Sequence, residues 1–340
     1  MKTQRLVISL AMALGLAGVT QPRRKERKVN TSPTRLYVLE QFCRSYKTGS
    51  LVVCKQIMLI ILLATFFLAP LTAGGEEVTS GVAEVNGTKL YYEMAGQGHP
   101  VVLIHGGVLS SSEWDEQFTP LAEHYRVIRY DVRGCGKSET RKLPYSNSKD
   151  LYQLLRFLKV EKTAVIGGSM GGGIAVDFTL EHPDMVEALV LVGGVVSGWQ
   201  YSQEFMQRGS KIFMVAAEEG PEKGADLWLA DPNLIPAPEN PAARQKFRKL
   251  FIENYHGFLT PYYLARTLKP PAIQRLPEIH VPTLIILGQQ DIPEVFAIAD
   301  VLTANIAEAK KTIIPNAGHL SQMEKPLEFN RIVLDFLSGR

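Results

Sequence analysis

Cysteine is scarce in this chain, with three residues among 340. Cys43 and Cys54 lie in the first 75 residues, which leaves Cys135 alone in the rest. A single cysteine forms no intrachain disulfide, so a disulfide-stapled fold is excluded. The apolar fraction of 46% and the charged fraction of 21% are typical of a globular chain with a large core. They exclude a disordered or fibrous protein.

Patterns that bind nucleotides or metals are also missing. Gly136-Lys137-Ser138 is similar to the end of a phosphate-binding loop, but Asp131 stands where that loop requires a glycine. No G-x-G-x-x-G pattern fits residues 167–173. No group of His, Cys and acidic residues has the spacing of metal ligands. We therefore expect neither a cofactor nor a metal ion.

The net charge of +3 is unevenly distributed. Residues 1–73 contain 11 of the 37 basic residues but only two of the 34 acidic residues, so they carry +9 and the remainder carries −6. A mildly acidic body argues against nucleic acid as a partner.

Two apolar runs mark residues 1–75 as a leader. The first covers residues 6–19, and the second, residues 57–71, follows Lys55 and precedes a small residue suited to cleavage, Ala73. An apolar core of this length behind a positive flank predicts a signal peptide, or a membrane anchor if it is retained.

The leader predicts the location of the body, which we define as residues 76–340. The basic stretch at residues 23–28 stays cytoplasmic by the positive-inside rule, so the body is expected outside: periplasmic, extracellular or anchored through the leader. The alternative is a start codon assigned too far upstream. Translation from near Met58 leaves a shorter signal peptide, and a leader that is not made at all leaves the body cytoplasmic.

The body alternates short apolar strands with amphipathic helices. This rhythm predicts an α/β fold with a mostly parallel sheet and helices on both faces. Sites in such sheets lie beyond the carboxyl ends of the strands. The predicted strands are Val82–Val85 and Lys89–Met94 as a hairpin, Val101–Ile104, Arg126–Tyr130, Thr163–Ile166, Ala188–Val192, Thr283–Leu287 and Thr312–Ile314.

Residues 195–275 interrupt the rhythm. They show no strand pattern, and 11 of these 81 residues are aromatic, compared with 9% for the chain. This excess predicts a helical lid with an apolar underside. The candidates to line an apolar pocket beneath it are Trp199, Tyr201, Phe205, Phe213, Trp228 and Phe258.

A candidate nucleophile lies in Gly167-Gly168-Ser169-Met170-Gly171, between a predicted strand and a predicted helix. In this G-x-S-x-G turn, small residues two positions either side permit a sharp bend that raises the serine hydroxyl above the sheet. The N-terminus of the helix that follows Ser169 stabilises negative charge that develops beside the serine during a reaction. We therefore predict Ser169 as a nucleophile.

A serine nucleophile requires a base and an acid that orients the base, in the chain order serine, acid, histidine for this kind of turn. His319 follows the last predicted strand, and Asp291 follows the strand before it. Both lie at the expected sheet edge. Glu294 and Asp300 are rival acids, but both fall in the helix that follows.

An acyl-transfer site also requires two backbone N–H donors for the developing oxyanion. One is expected from Met170, the residue after the nucleophile. The other is expected from the loop His105-Gly106-Gly107, with Gly107 as the first candidate and Val108 as the second.

These motifs together resemble the α/β-hydrolase fold family. The similarity covers roughly residues 80–340 and rests on the loop at residues 105–107, Asp131–Ser138, the turn at residues 167–172 and Asn316–His319, in this order. It implies an eight-stranded sheet with a lid inserted after the sixth strand. Ser-Met-Gly-Gly also resembles esterases, enol-lactonases and C–C bond hydrolases.

Three functions follow as hypotheses. The first is a serine hydrolase that cleaves a small, apolar carboxylic ester or lactone through an acyl-enzyme. The second is a C–C bond hydrolase of ring-cleavage products, which uses the same triad. The third is a non-catalytic ligand-binding member of the fold, against which the intact Ser169, Asp291 and His319 argue. The oligomeric state is left open.

Overall fold

The computed structural model describes residues 78–140, 144–235, 240–259 and 265–339. The leader and its predicted signal peptide or anchor lie outside these residues. Across the described ranges, no helix is long and apolar enough to span a bilayer.

A single mixed sheet has eight strands in the described ranges. Its spatial order is β1-β2-β4-β3-β5-β6-β7-β8. The pairs β1/β2 and β2/β4 are antiparallel, and every later pair is parallel. The strands are β1 (Thr79–Val85), β2 (Thr88–Ala95), β3 (Pro100–Ile104), β4 (Arg126–Tyr130), β5 (Thr163–Gly168), β6 (Val186–Val192), β7 (Thr283–Gly288) and β8 (Ala309–Ile314). The predicted mostly parallel α/β sheet is confirmed.

Helices follow the strands as the sequence pattern predicts, with additions. A 3₁₀ turn at Ser111–Trp114 and helix α1 were not predicted. The α-helices of the described residues are α1 (Asp115–Ala122), α2 (Asn147–Phe157), α3 (Met170–Glu181), α4 (Gln203–Glu219), α5 (Pro221–Leu229), α6 (Pro241–Leu259), α7 (Pro293–Asn305), α8 (Ser321–Glu324) and α9 (Pro326–Ser338).

Two apolar layers cover the faces of the sheet. Side chains alternate along β3, so Val102 and Ile104 pack with α2, α3 and α7, while Val101 and Leu103 pack with α1 and α9. Each of these four side chains is fully buried. Full burial of such a side chain contributes about 1.5–3 kcal/mol. This double-sided burial makes the sheet a rigid platform for the loops at its carboxyl edge.

The insertion between β6 and β7 is helical. Helices α4, α5 and α6 share an apolar core that includes Phe247 and Phe251. The same core contains Leu109 from the loop after β3 and Leu320 from the loop after β8. The helical insertion therefore packs against the two loops that carry predicted site residues.

Strand β8 begins earlier than predicted, at Ala309 rather than Thr312. Its first residues include Lys310 and Lys311, which are exposed. Because β8 is an edge strand, its polar start faces solvent and lacks the apolar pattern used for the prediction.

Candidate active site

The turn that carries Ser169 requires glycine on both sides. A Cβ on Gly171 would lie 2.2 Å from the carbonyl oxygen of Ile104, and one on Gly167 would lie 2.3 Å from the carbonyl oxygen of Gly171. Ser169 itself has φ +48° and ψ −112°, a conformation that L residues rarely adopt. This close packing holds Ser169 at the carboxyl end of β5 and at the first turn of α3, as predicted for a nucleophile.

Asp291 and His319 form a buried pair. His319 Nδ1 lies 2.7 Å from Asp291 Oδ1, and the Ile292 N–H donates to the same oxygen at 2.7 Å. The Asp291 side chain is fully buried and that of His319 is 7% exposed. The carboxylate therefore orients the imidazole through Nδ1, which leaves Nε2 for a second partner.

The rival acids have other partners. Glu294 accepts hydrogen bonds from Trp199 Nε1 and from Ser202. Asp300 forms an ion pair with Lys311. Neither carboxylate contacts His319, so Asp291 is the acid that the fold brings to the imidazole.

The pKa of His319 lies above its ordinary 6.5. Burial is the largest influence and by itself lowers the pKa, because it disfavours the imidazolium. The charge of Asp291 and the hydrogen bond to it act in the opposite direction, and the Glu113 and Glu324 carboxyls add to their effect. The net increase suits a base that must accept a proton and later return it.

Ser169 and His319 line the same cavity. The Ser169 N–H donates to the carbonyl oxygen of Val192 at 2.8 Å, and a Cβ on the next residue, Gly193, would lie 2.9 Å from His319 Cε1. These contacts bring the imidazole beside the serine turn. The Ser169 hydroxyl forms no hydrogen bond to His319 in the described structure, a bond that tightens in many enzymes only when substrate binds.

The residues predicted to supply the oxyanion donors line the cavity. Gly107 and Met170 both line it, whereas Val108 is fully buried and does not. Met170 is the first residue of α3, so its N–H has no acceptor within the helix. His105 holds the other loop, because its Nε2 accepts from the Val132 N–H and its Nδ1 therefore donates to the carbonyl oxygen of Gly106.

The cavity has a volume of about 820 Å³. Four predicted aromatic residues line it: Tyr201, Phe205, Phe213 and Trp228. Trp199 does not, which corrects that prediction, because its indole packs on the sheet core and is held by Glu294. The side chain of Phe258 lies outside the described part. Charged residues of both signs also line the cavity, namely Asp177, Glu181, Arg266, Lys269 and Arg275.

Two buried carboxyls near the site were not predicted. Glu113 accepts a hydrogen bond from the Gly106 N–H, and Glu324 accepts one from the Gly318 N–H, next to His319. Burial raises the pKa of each to about 7. The only sequence signal is position, since one acid follows the loop after β3 and the other lies five residues after His319.

Within the described ranges, no cluster of three or more His, Cys, Asp or Glu side chains could hold a metal ion.

A buried acid–histidine pair beside a serine on a strand-to-helix turn is the arrangement of hydrolases that use a serine nucleophile. Comparisons with known proteins agree with this class. The model of the α/β-hydrolase fold family matches residues 99–214. The chain is 30% identical over 269 residues to a 2-hydroxy-6-oxononadienedioate/2-hydroxy-6-oxononatrienedioate hydrolase of Paraburkholderia xenovorans, an alignment that covers 74% of this chain and 91% of the relative.

Solved structures are similar over the same region. An enol-lactonase from Burkholderia xenovorans superposes with a TM-score of 0.67 at 29% identity, covering 76% of this chain and all of that one. An esterase from Exiguobacterium antarcticum gives 0.67 at 27% identity, with coverage of 76% and 100%. The chain belongs to the α/β-hydrolase fold family, and it is a hydrolase.

Proposed function

We propose that the protein is a serine hydrolase that cleaves a small carboxylic ester or lactone through an acyl-enzyme. The observation that carries this proposal is the buried pair of Asp291 and His319 beside the Ser169 turn. The structural similarity to an enol-lactonase and to an esterase supports this substrate class.

The first half of the reaction forms the acyl-enzyme. The Ser169 Oγ attacks the substrate carbonyl carbon while His319 Nε2 takes the hydroxyl proton. The carbonyl oxygen becomes an oxyanion that accepts hydrogen bonds from the N–H groups of Gly107 and Met170. Collapse of this intermediate breaks the bond to the leaving oxygen, which receives the proton from His319.

The second half uses water. His319 takes a proton from a water molecule, whose oxygen attacks the acyl carbon on Ser169. Collapse of the second intermediate releases the carboxylic acid and returns the proton to the serine oxygen. Asp291 stabilises the imidazolium that forms twice in the cycle.

The cavity supports an uncharged acyl group. Its lining is mostly apolar, with aromatic rings from α4, α5 and α6. The cations that line it come from the segment after α6: Arg266 and Lys269 are exposed, and Arg275 is paired with Glu278. A neutral acyl ester is therefore expected to react faster than the matching dicarboxylate monoester.

C–C bond hydrolysis is the second candidate. The observation that favours it is the similarity to hydrolases of dienoic acids and dienedioates. The same serine attacks a ketone carbonyl, and the leaving group is then a carbanion stabilised as its enolate. The two candidates differ in the leaving group that the cavity must accept.

One panel tests both candidates. Purified native protein and Ser169→Ala are assayed against p-nitrophenyl esters of increasing acyl length, a lactone, and a vinylogous 1,5-diketone acid that models a ring-cleavage product. The ester reading predicts turnover of the first two substrates by the native protein only. Turnover of the diketone with inert esters and lactone supports C–C hydrolysis instead, and no turnover of any substrate contradicts both.

We also propose that residues 76–340 are exported. Support comes from the basic flank and the apolar run at residues 57–71, which lie outside the described residues. Fractionation of the native host tests this proposal. Full-length, uncleaved protein in the soluble cytoplasm would contradict it.

A further inference from the structure

Glu113 is a carboxyl group with no exposure to solvent, and the reaction above does not use it. It belongs to the 3₁₀ turn at Ser111–Trp114, directly after the loop that carries Gly107. Burying a carboxyl group costs several kcal/mol unless its oxygens receive hydrogen bonds. The partners of Glu113 therefore indicate its role.

Both oxygens of Glu113 accept short hydrogen bonds. The Gly106 N–H donates to Oε2 at 2.6 Å, and Gln322 Nε2 donates to Oε1 at 2.6 Å. Gly106 precedes the candidate oxyanion donor Gly107. Gln322 lies on α8, three residues after His319. One carboxyl group thus connects the oxyanion loop with the helix that follows the histidine.

A third contact reaches the nucleophile turn. A Cβ on Gly168, the residue before Ser169, would lie 2.8 Å from Glu113 Oε1. The carboxyl oxygen therefore packs against the backbone that carries the serine.

We infer that Glu113 is a positioning residue, which through its two hydrogen bonds holds the oxyanion loop in register with the Ser169 turn and the segment after His319. This inference rests on the proposed function, because it assigns Glu113 to the same reaction. A displacement of about 1 Å in such a site can lower the rate about a hundredfold. The hydrogen bonds, rather than the negative charge, carry the role.

The amide of Gln322 makes this distinction testable. Its Oε1 is buried and has no hydrogen-bond partner among the described residues. In Glu113→Gln the new side chain can accept from the Gly106 N–H and donate to that oxygen after Gln322 turns its amide over. The variant loses the charge but keeps both links.

Glu113→Asp is the opposite change, since it keeps the charge but shortens the side chain by one methylene. It cannot reach both donors, so the positioning is lost. Gln117→Met is a matched control, because Gln117 is fully buried one helical turn away and bonds to the carbonyl oxygen of Gln322 and to Asn330. No bond is recorded between Gln117 and the oxyanion loop or the serine turn.

The experiment measures the second-order rate constant for labelling of Ser169 by a fluorophosphonate probe, whose phosphoryl oxygen requires the same donors. We expect Glu113→Asp to react about tenfold to a hundredfold more slowly. Glu113→Gln and Gln117→Met are expected to stay within about threefold of the native rate, because neither change disturbs the positioning of the oxyanion loop. Unfolding by urea checks that each variant is folded.

Three outcomes contradict the inference: Glu113→Asp reacts as fast as the native protein, Glu113→Gln is slowed as much as Glu113→Asp, or Gln117→Met is slowed as much as Glu113→Asp. If Glu113→Asp does not fold, Gln322→Met removes the same link from the other side. It should label severalfold more slowly, and an unchanged rate contradicts the inference. Failure of the proposed function is distinct, because then the native protein itself is not labelled at Ser169.

Discussion

Replacing Glu113 by glutamine should change how stability depends on pH. The buried Glu113 carboxyl has a pKa of about 7, compared with an ordinary 4.5, because burial disfavours its charged form. Between pH 4.5 and about pH 7 the folded state therefore still holds a proton that the unfolded state has released. The stability that the protonated Glu113 carboxyl allows is fully present below about pH 4.5 and is lost as the pH rises through about 7.

The magnitude follows from the difference of about 2.5 pKa units. At 1.36 kcal/mol per unit, native stability falls by about 3 kcal/mol from this group between pH 4.5 and pH 8. Glu113→Gln is neutral at every pH and keeps both hydrogen bonds, so it lacks this loss. Relative to the native protein, its free energy of unfolding should therefore increase by about 3 kcal/mol across the range.

Urea unfolding at pH 4.5 and pH 8, followed by tryptophan fluorescence, measures the difference. The buried Trp114 lies next to Glu113 and reports on this region. Titrating groups that do not interact with Glu113 are common to both proteins and cancel in the comparison. Glu161→Gln, a change at an exposed carboxyl, is the control and should show no such trend. A difference between native and Glu113→Gln that stays constant with pH would refute the reasoning.

Three further predictions concern the histidine pair. Because the pKa of His319 is raised and the base must be neutral, kcat/KM should fall on the acid side with an apparent pKa above 6.5, which a pH–rate profile measures. Asp291→Asn should lower kcat by about 10⁴ with little change in KM, since a neutral amide neither stabilises the imidazolium nor fixes the tautomer of the imidazole. Gly193→Ala, at φ +53° with a Cβ 2.9 Å from His319 Cε1, should lower kcat at least about tenfold and destabilise the fold by about 1–3 kcal/mol in urea unfolding.

The strands and the site turn could be predicted because their signals are local. Arg126–Tyr130 has the predicted bounds, because an apolar run marks this strand, and a helix begins at Met170, where the glycine-rich turn predicts one. Asp291 and His319 could be expected at the same edge of the sheet because each lies in the loop after a strand, and carboxyl ends of parallel strands meet at one edge. Their pairing needed only the fold class and the chain order.

Features that depend on distant packing could not be predicted. The position of β4 between β2 and β3 depends on how the strands pair across the sheet, and the sequences of the three strands do not indicate it. Trp199 is aromatic and lies in the lid region, so the sequence predicts a pocket residue. Its indole instead donates a hydrogen bond to Glu294, 95 positions away, and packs on the core. The sequence around Glu113 gives no sign that this acid is buried, because its partner Gln322 lies 209 positions later in the chain.

The most direct test of the central claim is the site of covalent modification by a fluorophosphonate. Intact mass and peptide mapping of the treated native protein should show one phosphonyl group per chain, attached to Ser169, and none on Ser169→Ala. Asp291→Asn should carry the same adduct but form it far more slowly. Modification of Ser169→Ala at the native rate, or an adduct on another residue of the native protein, would contradict the assignment of Ser169 as the nucleophile.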